Sequence, residues 1–114
     1  MMQGAYDQAI QQFEQAVKLD GTLAESYQNL CVLFYVQHSY EAAADAGMKA
    51  LRLYEDGLQH DTFEKADRKK KIAHIASVLN KVYQQLIQKT IDNGNRVEET
   101  RYREELERLE LHIP

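Results

Sequence analysis

The sequence predicts an all-α protein of about five helices, joined mostly by short turns into antiparallel neighbours. Three observations carry this. One Pro and five Gly in 114 residues leave long uninterrupted stretches, filled with Gln, Glu, Lys, Ala and Leu, which cost little in a helix. Few segments alternate apolar and polar residues at the period of a strand. Finally, "AYDQAIQQFEQAVKL" (5–19) and "SYEAAADAGMKALRL" (39–53) share a pattern, with Tyr6 and Tyr40, Ala9 and Ala43, Ala16 and Ala50, and Leu19 and Leu53 each 34 residues apart.

Residues 4–19 form the first predicted helix, with Tyr6, Ala9, Phe13, Ala16 and Val17 on one face. Asp20-Gly21 ends it, since Gly enters the left-handed conformation cheaply. The second helix spans 22–37. Thr22 is its candidate N-cap, Glu25 completes a capping-box pattern, and Tyr27, Leu30, Cys31, Phe34 and Val36 face inward. His38-Ser39 is a hinge, and the third helix covers 40–54 with Ser39 as its cap. "EDGLQHD" (55–61) reads as a loop.

From Asp61 or Thr62 to about Ile91 the pattern is one long helix. Its apolar stripe is Phe63, Ala66, Ile72, Ile75, Ala76, Leu79, Val82, Tyr83, Leu86 and Ile87. "DNGN" (92–95) breaks it, because Asn-Gly favours a turn. The last helix covers 96–111, with Tyr102, Leu106 and Leu109 inward and Glu99–Arg103, Arg101–Glu105 and Glu104–Arg108 as outer i,i+4 ion pairs.

A 34-residue period built from helix pairs marks a repeat unit that cannot bury its apolar face alone. On these residues the chain resembles the tetratricopeptide repeat (TPR) family. In 24–57, Tyr27, Leu30, Cys31 and Phe34 fit the aromatic, Leu, small and aromatic positions of a unit's first helix. Tyr40, Ala43 and Ala50 fit its second, and Gly47 stands where the family carries a large residue. That departure either leaves room for a bulky neighbour or weakens the packing. Residues 4–21 match only a second helix, so the chain is expected to begin part-way through a unit. Residues 61–111 form a degenerate, elongated third pair, with Ile72, Ile75, Ala76 and Leu79 on one helix and Tyr102, Leu106 and Leu109 on the other. The resemblance implies a single domain, 1–114, wound as a right-handed superhelix with an atypical fourth helix and a C-terminal capping helix.

TPR proteins are binding scaffolds, so the resemblance implies no enzyme and no cofactor. It implies a groove for a peptide or helix of another protein, at Glu25, Gln28, Asn29, Val32, Tyr35 and Val36. The alternative is that Val32 and Tyr35 pack against the long fourth helix. Some members clamp a carboxylate, for which Asn29, Lys70 and His74 are the matching positions, although His lacks the bidentate fork of Arg. A structural alternative uses the edge of the first helix. Its Tyr6, Ile10, Phe13 and Val17 would lack their usual cover and could drive dimerisation or helix swapping.

Charge and composition narrow the partners. The net charge is −4, with 3 basic and 8 acidic side chains in residues 1–60 against 11 and 10 in 61–114. An acidic first half opposes a nucleic-acid partner, whose binding leans on Lys and Arg. "DRKKK" (67–71) reads as a solvated helix face. No run approaches the ~18 apolar residues of a membrane span, and the N-terminus lacks a signal-peptide profile, so a cytoplasmic setting is expected. The single Cys31, set in "NLCVLF", excludes an internal disulfide and reads as a small core residue. The four His show no metal spacing, and no phosphate loop or nucleophile elbow occurs.

Overall fold

The computed structural model describes residues 2–60 and 65–110, with side chains described over 4–56 and 67–109. Five helices follow one another: α1 (Met2–Leu19), α2 (Ala24–Val36), α3 (Tyr40–His60), α4 (Lys65–Asn93) and α5 (Arg96–Glu110). Among the described residues there is no strand. The all-helical expectation holds, and the breaks observed at 20–23, 37–39 and 94–95 fall within two residues of those expected at Asp20-Gly21, His38-Ser39 and 92–95.

One boundary is wrong in the sequence reading. Residues 55–60, expected as loop, continue α3 to His60. A single Gly inside a helix costs only about 1 kcal/mol, and no proline stops the chain before residue 61. Tyr54, buried in the core, anchors the helix just ahead of this extension. The expected positions Phe63 and Ala66 lie outside the described side chains.

The turns replace some predicted devices with others. Gly21 does not take a left-handed conformation. Asp20 organises that turn instead, its carboxylate accepting from the Thr22 backbone N–H at 3.0 Å and from the Thr22 hydroxyl. These bonds hold the Asp20 carboxyl below its ordinary pKa. Thr22, so engaged, does not cap α2; Leu23 occupies the N-cap without a side-chain bond. The expected capping box is absent, and Glu25 pairs with Lys71 of α4.

At the end of α2, His38 adopts φ 64°, an uncommon conformation for a residue with a Cβ. The Ser39 N–H donates to the Phe34 carbonyl at 2.8 Å and the His38 N–H to the Tyr35 carbonyl at 3.0 Å. This double bond pattern satisfies the carbonyls orphaned at a helix C-terminus. Gly94, φ 71°, repeats it at the end of α4, where Asn95 N–H donates to Thr90 and Gly94 N–H to Ile91. Asn95 then caps α5, its Oδ1 accepting from the Glu98 N–H at 3.2 Å.

The helices pack in chain order: α1 on α2, α2 on α3, α3 on α4 and α4 on α5. α2 also touches α4, whereas among the described residues α1, α3 and α5 do not touch one another. The molecule measures 46 × 37 × 21 Å, and its thin dimension equals about two helix diameters of 10–12 Å. The core is built from Leu30 and Cys31 of α2, Ala43, Ala50 and Leu51 of α3, and Ile75, Ala76, Leu79 and Val82 of α4.

Gly47 explains how closely α3 approaches α4. A Cβ there would lie 2.5 Å from Leu79 Cδ2 and 2.9 Å from Cys31 Sγ. The bare backbone is what admits Leu79, the first of the two readings of this departure. On α5, Glu99–Arg103 forms at 2.9 Å as expected, but Arg101 pairs back to Glu98 at 2.7 Å and Arg108 to Glu105 at 3.1 Å. The expected Arg101–Glu105 and Glu104–Arg108 pairs are not made.

Candidate protein-interaction surface

The six residues expected to line a groove, all on α2, divide by helix geometry. Positions 25, 29, 32 and 36 follow one another at intervals of three and four, so they share one stripe of the helix. All four are exposed: Val32 by 37% and Val36 by 43%, with Glu25 and Asn29 beside them. Val36, expected inward from the apolar pattern, belongs to this open stripe and not to the core.

Gln28 and Tyr35 sit a quarter-turn away and are half-buried. The Tyr54 hydroxyl of α3 donates to Gln28 Oε1 at 2.7 Å, and burial is the main influence raising the Tyr54 phenol pKa. Lys71 of α4 reaches Glu25 and lies 5.9 Å above the Tyr54 ring. A polar seam of Glu25, Lys71, Tyr54 and Gln28 therefore ties α2 to α3 and α4 along one border of the stripe. Tyr35 packs at 5.8 Å between ring centroids on Tyr40, whose hydroxyl lies 2.7 Å from His38 Nδ1. Neither Gln28 nor Tyr35 is an idle surface group.

Lys70 and His74 are exposed on α4. The basic residue that reaches α2 is their neighbour Lys71. Burial of the remaining candidates follows α1. Ile10 is only 7% exposed, and Phe13 and Val17 are half-buried against the core with Tyr6 half-buried beyond them. The face offered as a self-association edge is thus turned largely onto α2, the one helix that α1 touches among the described residues. The strongly exposed apolar residue of α1 is Leu19, at its last turn.

Cys31 is buried, and burial pushes its thiol up to about 12, so it remains a protonated core residue near neutral pH. Among the described residues no group of three or more His, Cys, Asp or Glu could hold a metal ion. No described helix is long and apolar enough to cross a membrane.

One feature escaped the sequence reading. α3 and α5 both rest on α4 without meeting, and between them opens a cleft of about 1030 Å³. The α3 wall contributes Glu41, Asp45, Lys49 and Arg52, and the α5 wall contributes Glu98, Arg101, Tyr102 and Glu105. Tyr83 was expected inward and is buried, yet it reaches the cleft. Charges on outer faces look like ordinary solvated surface in a sequence, and only the spacing of two non-adjacent helices makes them line one cleft. No protein-family model and no curated protein matches the chain.

Proposed function

We propose that this chain is a protein-interaction scaffold of the TPR kind, holding a peptide or helix of another protein along the open face of α2. The observation that carries the reading is the stripe of Glu25, Asn29, Val32 and Val36. It presents two exposed branched apolar residues in its C-terminal half, beyond an acid and an amide, and the Glu25–Lys71 and Tyr54–Gln28 contacts border its N-terminal half. Apolar area on a helix already held by its neighbours is a surface that gains affinity without first ordering itself. The contact between α2 and α4, with α1, α3 and α5 standing apart, agrees with a superhelix whose first helices lie on the inner side. In this reading the chain carries no catalytic chemistry, and binding is its whole activity.

The test is site-specific photocrosslinking in the cells that make the protein. A photoreactive residue at position 32 is expected to capture a discrete partner protein, and one at Gln12 on α1 is expected not to. Equal capture from both positions, or none from position 32, would remove α2 as the binding face.

A further inference from the structure

The α3–α5 cleft lies outside the α2 stripe and contains a group the proposed scaffold reading does not use. Tyr83 of α4 is only 5% exposed, yet it lines the cleft. Its hydroxyl has no hydrogen-bond partner among the described residues and is not among the sealed, unsatisfied atoms, so it opens on the cleft. A buried phenol of this kind ordinarily finds a partner. Asp45 on the α3 wall and Glu105 on the α5 wall both raise the Tyr83 phenol, after burial itself, which places the hydroxyl within reach of their fields.

The neighbouring charges differ in how far they are already engaged. Lys89 pairs with Glu41 at 3.6 Å, Arg101 with Glu98 at 2.7 Å, and Glu105 with Arg108 at 3.1 Å. Lys49 lies 5.4 Å above the Tyr27 ring of α2. Asp45 has no hydrogen bond or ion pair among the described residues. Arg52, the remaining cation of the α3 wall, stands seven residues from Asp45, about 10 Å along the helix. The cleft thus offers an unused carboxylate and an unused phenol oxygen beside the Tyr83–Tyr102 ring pair, whose centroids are 5.8 Å apart and whose Tyr102 ring already carries the Arg101 guanidinium at 4.9 Å.

We propose that this cleft receives an arginine side chain carried on a peptide segment of a partner protein, its guanidinium donating to Asp45 and to the Tyr83 hydroxyl beside the Tyr102 ring. A planar guanidinium presents several donors in a fixed fork, so one group satisfies both unpaired oxygens. The site is separate from the α2 stripe, so either can fail while the other stands.

The experiment is a titration of the full chain, followed by amide NMR shifts, with the peptide acetyl-Ala-Ala-Arg-Ala-Ala-amide. Its counterpart has citrulline, a neutral isostere, in place of arginine, and spermidine is the free polycation. Saturable shifts around Asp45, Tyr83 and Tyr102 with the arginine peptide are expected, together with at least roughly tenfold weaker binding of the citrulline peptide. Asp45→Asn should weaken the arginine peptide by roughly tenfold and Tyr83→Phe by several-fold, with unchanged melting of Asp45→Asn, because that side chain supports nothing in the fold. Asp7→Asn on α1 should leave binding as it is. Equal binding of the citrulline peptide, indifference to Asp45→Asn, shifts confined to α2, or tighter binding of spermidine than of the arginine peptide would each overturn the proposal.

Discussion

Gly47 is the residue on which the α3–α4 contact turns, because the space of its missing Cβ is filled by Leu79 and Cys31. Gly47→Ala gains about 1 kcal/mol of helix propensity, but overpacking a sealed core costs about 1–3 kcal/mol. The variant is expected to lose about 1 kcal/mol net in urea denaturation, and the loss should shrink in a Leu79→Val background. Additive effects of the two changes would show that they do not meet. His38 is a second special position, a Cβ-bearing residue at φ 64°. His38→Gly should stabilise by up to about 1 kcal/mol, less whatever the ring contact with Tyr40 contributes. Unchanged or lower thermal stability would show that this contact outweighs the backbone strain. Burial raises the Tyr83 phenol to about 12 from 10.0, so the folded state favours the protonated form. Its contribution is complete below pH 10 and is lost as pH rises from 10 through about 12, because the unfolded chain releases that proton first. Tyr83→Phe should therefore flatten the decline of stability above pH 10. An unaltered alkaline slope would contradict the burial of that hydroxyl.

At the scale of the elements, the sequence was readable where periodicity and turn chemistry act together. "DNGN" announces the break between α4 and α5, and Gly94 takes the left-handed conformation there. Gly94→Ala is expected to cost about 1 kcal/mol in thermal unfolding; a neutral result would mean the turn tolerates a Cβ. The inward residues of α4 from Ile72 to Ile87 were equally plain, because a stripe repeated over several turns averages out local exceptions. Single devices were not legible. Thr22 was a fair N-cap by type, but Asp20 claimed its hydroxyl first. The segment 55–61 looked like a loop, yet its one Gly does not end α3, which runs on to His60. On α5 the choice between i,i+3 and i,i+4 partners depends on rotamers that spacing does not determine. The α2 site was half legible: the resemblance offered Glu25, Asn29, Val32 and Val36, all exposed, but Gln28 and Tyr35 found partners on α3 that only the tertiary arrangement supplies.

Across the whole molecule, the repeat pattern and the packing order agree that each helix is stabilised by its neighbours in the chain. Two separate surfaces result, the α2 stripe and the α3–α5 cleft, which share no residue. The cleft could not be foreseen from spacing, because its walls are separated in sequence by all of α4. The most direct measurement of the proposed scaffold function is a paired capture from source-cell lysate. The parent chain would be compared with a Val32→Asp, Val36→Asp variant whose helicity and melting match the parent. Both side chains are exposed, so the charges should spare the fold while opposing an apolar partner surface. The expected result is a specific protein retained by the parent and depleted at least roughly tenfold by the variant, the equivalent of about 1.4 kcal/mol. Equal retention by both chains would contradict binding along α2.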